Sequence, residues 1–234
     1  MKIGFAAALV PAVMTVLGGC TAPGTVAIQL GDTIILEETI GSYESARNSS
    51  PFSAPVPITA TGGTATYSGG ALFDLTQSGG DGDMIFMGLN LTATFGATSA
   101  QVEGTMGNAV RASMSSATHD ALNDAITATG QTADDAVAAA TALIGDFTST
   151  EALSGTVAIA SRPVSNADPQ WTAPITGTLT GATSEIEVNA TAAGILYEPT
   201  GEAIRITGTN FGNVELGVNG TPTTAYLNGF AIKQ

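Results

Sequence analysis

Few side chains in this sequence could do chemistry. The single histidine, His119, stands beside Asp120 and one turn before Asn123 and Asp124, and a His–Asp pair can shape a general base. A base needs a nucleophile, and no Gly-x-Ser-x-Gly elbow accompanies it; Ser68, between Tyr67 and Gly69 in a strand-like run, is not tied to His119 by any spacing. His119 is therefore read as a solvated histidine on a helix, with haem or metal capture as the alternative. Asp81 and Asp83, in Gly79-Gly80-Asp81-Gly82-Asp83, and the nearby Asp74 are the candidate cation ligands, because hard cations take several oxygens from a flexible turn. The calcium β-helix repeat requires an Asp where Met84 stands, and several stacked copies, so this single segment reads first as a hairpin turn. Zinc spacings, phosphate-cradling loops and dinucleotide fingerprints do not occur, and the aromatics, Trp171 included, do not interleave with basic residues. The expectation is a non-enzymatic protein with no cofactor and no nucleic-acid partner.

One reactive group remains, the thiol of Cys20, the chain's only cysteine. It closes Leu17-Gly18-Gly19-Cys20, a small-residue cleavage site behind Lys2 and the apolar run Ile3 to Val16, which Pro11 interrupts and which is too short to cross a bilayer as a mature helix. The pattern resembles a bacterial lipoprotein signal ending in a lipobox. That resemblance implies removal of residues 1–19, lipidation of the Cys20 sulfur, and acylation of the new amine. A lone thiol in an exported chain would have no partner; acylation removes the oddity, and more than one acyl chain holds a protein durably to a membrane. Thr21 follows Cys20 where an Asp would favour the inner membrane, so in a Gram-negative host the resemblance points to the outer membrane, on its periplasmic or its cell-surface side.

Loss of Lys2 with the leader leaves five basic residues against twenty acidic ones and takes the formal charge from −14 to −15. Such a surface repels nucleic acid and anionic headgroups, and serves first for solubility. With 29 glycines, abundant Thr and Ala, and 11% charged residues, the composition suits short strands and tight turns. Residues 20–24 form a tether. In 25–61, Val26 to Leu30 and Thr33 to Leu36 form a β-hairpin about Gly31-Asp32, and a Pro/Ser-rich connection follows. From Gly62 the alternation tightens. Leu89, Leu91, Ala93 and Phe95 point one way with Asn90, Thr92 and Thr94 between them, and Val102 and Gly104 oppose Gln101, Glu103 and Thr105. A helical interruption is expected within 107–150. Its first helix carries Ala117, Ala121, Leu122, Ala125 and Ile126, capped by Ser115 or Ser116 with Gly130 just past its end; its second starts at Thr132 to Asp135 and closes at Gly145, making an αα-hairpin over about 115–145. Strands resume at Ser154 to Ala160 and, after a Pro163–Pro169 loop, at Trp171 to Thr180. Turns at Gly181, Pro199 to Gly201, Asn210 to Asn213 and Asn219-Gly220 cut the remainder. The fold expected is mainly β: an up-and-down antiparallel barrel of about eight strands over 62–234, closed by a final strand from Thr224 to Ile232.

Tyr67-Ser68-Gly69, Ala93-Thr94-Phe95 followed by Val102 to Met106, Gly194-Ile195-Leu196-Tyr197-Glu198-Pro199 running to Gly208, and Gly229 to Gln234 together resemble the barrel lobe of transferrin-binding protein B and related surface lipoproteins. The resemblance covers about 62–234. Glu198 stands where that family places a glycine, and its Glu-Glu-x-Gly-Gly pattern is reduced to Glu202, Ala203 and Gly208. What the resemblance implies is a lipid-anchored barrel that holds a protein or nutrient carrier through loops at one end; transferrin recognition, which belongs to a larger two-lobed protein, does not carry over. A purely structural envelope lipoprotein is the alternative from another class.

Overall fold

The computed structural model describes residues 58–59, 62–75, 81–127, 133–197, 201–210 and 212–234. The expected leader, Cys20, its tether and the N-terminal strands up to residue 57 lie outside them, as do Gly130 and Thr132. The elements are β1 (Thr64–Asp74), β2 (Gly82–Phe95), β3 (Ser99–Met114), α1 (Ser116–Thr127), α2 (Ala133–Leu143) with a 3-10 turn at Ile144–Asp146, β4 (Phe147–Ser165), β5 (Gln170–Thr180), β6 (Glu185–Tyr197), β7 (Ala203–Gly208), β8 (Asn213–Val218) and β9 (Thr221–Lys233).

From β1 to β7 each strand pairs antiparallel with the next, and β9 returns to β1 with Tyr67 opposite Lys233 and Asp74 opposite Tyr226, closing the sheet. β7 and β8 share one position between β6 and β9. Ala192 of β6 faces Gly208 and Val188 faces Leu216, so a separation of four positions along β6 matches one of eight along the neighbouring chain, and the excess falls between Gly208 and Asn213. The nine strands therefore make a closed eight-stranded antiparallel barrel, as the strand spacing predicts.

Alternation explains the core. Tyr67, Ala71, Phe73, Ile85, Met87, Leu89, Leu91, Val102, Val157, Ile175, Ile186, Ile204 and Leu227 belong to one continuous inward cluster, most of them without accessible surface, so the lumen is filled by side chains. From β1 to β6 the outer wall exposes Thr66, Asn90, Gln101, Glu103, Thr156, Thr178 and Glu187, the reverse of a barrel that faces lipid. Among the described residues, no helix is long and apolar enough to cross a membrane.

The helical hairpin forms as expected, but it occupies less chain than 107–150. β3 continues to Met114 and β4 begins at Phe147, not Ser154. The cause is a second apolar cluster: Leu72, Met84, Phe86, Val110, Ala112 and Met114 point outward, and Leu122, Ala140 and Ile144 of the hairpin region cover them. Strands buried on both faces lose their alternation. Gly107-Asn108, which looks like a strand end, sits at an irregularity of the β3–β4 ladder where Asn108 has φ 52°. Ser115 caps α1, its hydroxyl accepting the Thr118 N–H at 3.2 Å, and α2 ends at Leu143, two residues before Gly145. β4 also runs through Pro163 to Ser165. There it pairs with β3 alone, so a residue without an N–H is tolerated.

Candidate functional site

The interrupted strand position shapes the outer wall beside it. Between β7 and β8 the chain turns out through Gly212, which adopts φ +87°; its amide donates to the Gly208 carbonyl at 3.2 Å and its own carbonyl accepts the Leu227 N–H at 2.8 Å. The Tyr226 ring lies on this glycine so closely that a Cβ there would stand 2.0 Å from a ring carbon. A missing side chain thus seats an aromatic one that is otherwise 41% exposed. Opposite, the outward residues of β6 and β7 alternate with the inward ones: Ala193, Ile195 and Tyr197 on β6, Arg205 and Thr207 on β7. Together with Gln170 and Gly194 these residues line an open groove of about 370 Å³. Tyr197, Ala203 and Phe230 form a small apolar cluster on the same wall, and the Arg205 guanidinium is held over the Phe230 ring, 5.4 Å from its centroid. The described lining carries one cation and no carboxylate, in a chain with twenty acidic residues.

The carboxylates singled out in the sequence go elsewhere. Asp83 lies within β2, not in a turn, because β2 starts at Gly82. It points to the barrel interior, where the Arg111 guanidinium of β3 forks onto it, Nε lying 3.0 and 2.9 Å from its two oxygens and Nη2 making a further short contact. Arg111 Nη1 also donates to the Ser184 hydroxyl, which in turn donates to Glu151. The hydrogen bond to Asp83 does most to hold the arginine above its ordinary range; burial works against it, and the charges of Asp83 and Glu151 add to the rise. This network plugs one end of the barrel. Asp81 is exposed just before β2.

His119 is corrected by the structure. It is not solvated: 7% of it is exposed, because α1 packs its histidine against Gly82, where an added Cβ would lie 2.6 Å from the histidine Cβ. Its Nε2 lies 3.0 Å from Asp74 Oδ2 on the outer face of β1, Asn123 approaches both ring nitrogens at 3.4–3.5 Å, and Nδ1 is 3.6 Å from Asp120. His119 and Asp74 are thus brought together as a clamp between helix and sheet, while Asp81 and Asp83 do not join them. Among the described residues no group of three or more His, Cys, Asp or Glu side chains is placed to hold a metal ion. The groove residues Arg205, Tyr226 and Gly212 carried no motif. The available signal was an arginine at an outward position of Ile204-Arg205-Ile206 in a chain with very few bases. Comparison with protein-family models, curated proteins and solved structures finds no match to this chain.

Proposed function

We propose that this protein is a non-enzymatic binding module, anchored in the outer membrane by lipid on Cys20, that presents the outside and the end loops of a solid barrel to a protein or nutrient carrier. The observation that carries this reading is the filled lumen. Eight-stranded barrels that store small ligands keep a cavity inside, whereas here inward side chains such as Phe73, Met87, Leu89 and Ile206 have no accessible surface, so a partner must be met on the exterior. The polar wall from β1 to β6 suits a barrel that stands beside a membrane, held by its N-terminus. The likeness of the strand motifs to surface-lipoprotein barrels belongs to the same proposal. Anchoring is tested by feeding expressing cells a clickable palmitate analogue: the wild-type chain takes up label and fractionates with outer membrane, and Cys20→Ser does neither. A wild-type chain without label sinks the anchor. Protease shaving of intact cells fixes which face the barrel occupies, and affinity capture from culture medium and envelope extract tests the binding role. Repeated capture without a common partner favours the structural reading.

A further inference from the structure

Apart from partner binding on the barrel exterior, we propose that the space beneath the helical hairpin is a site for a soft monovalent metal ion, Cu(I), held by the His119 imidazole and the thioethers of Met84 and Met114. The outward patch of β2 and β3 brings these side chains together. Gly82 and Met114 are opposite one another in the β2–β3 ladder, and the bare glycine lets α1 come down on the sheet there: Met114 Cγ and His119 Cγ both lie within 3.0 Å of the point where a Gly82 Cβ would stand. From that point the His119 ring reaches across to Asp74, its Nε2 lying 3.0 Å from Oδ2, and Asp74 is the ladder partner of Met84. Met84 follows Gly82 by two residues on the same outward face, so the imidazole runs from the Met114 position toward the Met84 position. Met84 has no accessible surface, Met114 and His119 have little, and the rest of the patch is hydrocarbon. Donor chemistry selects the ion. The Asp74 carboxylate can only accept, which fixes the imidazole proton on Nε2 and leaves Nδ1 its lone pair, as carboxylates do behind metal-bound histidines. Around Nδ1 the Asn123 amide nitrogen at 3.5 Å and Asp120 Oδ1 at 3.6 Å stand at the limit of polar contact. Thioethers are soft, uncharged ligands that suit Cu(I); calcium and magnesium require oxygens, and among the described residues no third His, Cys, Asp or Glu side chain is placed to complete a zinc set. A single positive charge is balanced by Asp74, whereas a divalent ion would carry a second charge into a space walled by hydrocarbon.

The test is anaerobic titration with Cu(I), in competition with the chelator bicinchoninate, of the full chain carrying Cys20→Ser, which removes the one thiol that would compete for the ion. One Cu(I) per chain is expected to pass from chelator to protein, and X-ray absorption of the loaded protein should show sulfur in the metal's shell beside imidazole nitrogen. On that background Met84→Leu and Met114→Leu conserve side-chain volume and remove the sulfur, so each should weaken Cu(I) by at least about tenfold while circular dichroism stays unchanged. Met106→Leu, on the inward side of β3, should leave the affinity as it was. Because His119 ties α1 to the sheet, bound Cu(I) or its redox-inert substitute Ag(I) should also slow hydrogen exchange in α1, and should fail to do so in the double leucine variant. His119→Gln should abolish binding; should that variant lose the hairpin, the two leucine variants decide alone. Absence of Cu(I) uptake, uptake undiminished in the folded double leucine variant, or a metal shell without sulfur overturns the proposal and leaves the two methionines as packing. None of these outcomes bears on lipid labelling or partner capture, so the two proposals fail separately.

Discussion

Glu151, on the rim of the plugged barrel end, sits under opposing influences. Burial pushes its carboxyl up, but the hydroxyls of Ser184 and Thr183, the Thr183 amide and the Arg111 guanidinium together hold it below the usual carboxylate range. A carboxyl whose folded value is depressed stabilises the protein above its unfolded value, and that contribution is lost as pH falls through the folded value. Glu151→Gln should therefore be less stable than wild type at pH 7, and the gap should shrink as acid is added below pH 4.5, the group's ordinary value. Urea unfolding at pH 7 and at pH 3 measures this; an unchanged gap would assign Glu151 a purely steric role. Arg111 offers a companion case. Arg111→Lys keeps the charge but cannot fork onto both Asp83 oxygens and still reach Ser184, so it should cost about 1–2 kcal/mol in the same urea measurement at pH 7. A midpoint equal to that of wild type would mean that the fork contributes nothing.

The helical hairpin is held by few and small groups: Leu122 and Ala140 against the outward faces of β2 and β3, and the His119–Asp74 clamp over Gly82. Alanine-rich faces bury little area, so most of its stability is borrowed from the sheet. Hydrogen exchange should find the α1 and α2 amides opening at lower free energy than those of β1 to β3. Gly82→Ala drives a methyl into the His119 Cβ and the Met114 side chain, so it should speed exchange in α1 selectively and cost about 1–3 kcal/mol overall. Protection of α1 equal to wild type in that variant would disprove the close packing. The same geometry explains what the sequence disclosed. Leu89 to Phe95 and Gln101 to Thr105 were legible because only one face of each is buried, whereas Val110 to Met114 was hidden because the hairpin makes both faces apolar. Asn219-Gly220 reads correctly as a two-residue hairpin turn, both residues taking positive φ, at 49° and 74°. Asn210 to Asn213 has similar turn chemistry yet only interrupts a strand position, because β6 and β9 flank it on both sides. Local sequence marks where a chain turns; whether it reverses depends on distant neighbours. The groove was obscure for that reason, since Tyr197, Arg205 and Tyr226 converge only through the registers of β6, β7 and β9.

At the scale of the molecule, closure depends on one strand. β9 pairs with β7 and β8 on one side and β1 on the other, and the Gln234 amide donates to the Thr66 carbonyl at 2.9 Å at the seam. Contacts between such distant parts of the chain cost loop-closure entropy before they return any burial, which places ring closure late in folding. Removing Leu227 to Gln234 would delete the whole β7–β9 ladder and all of the β1–β9 ladder except the Asp74–Tyr226 pair. It would also strip Leu227 and Ala231 from the interior and Phe230 from beneath Arg205, and leave β1 and β7 with open edges. With no disulfide among the described strands to hold the ring, the truncated chain should lose its cooperative urea transition and its near-ultraviolet circular dichroism and should self-associate by light scattering, while deletion of Gln234 alone should leave all three near wild type. A truncated chain that still unfolds in one sharp transition would mean that the seven remaining strand positions and the helical hairpin form a core without the ring, and that closure serves only to hide the edges.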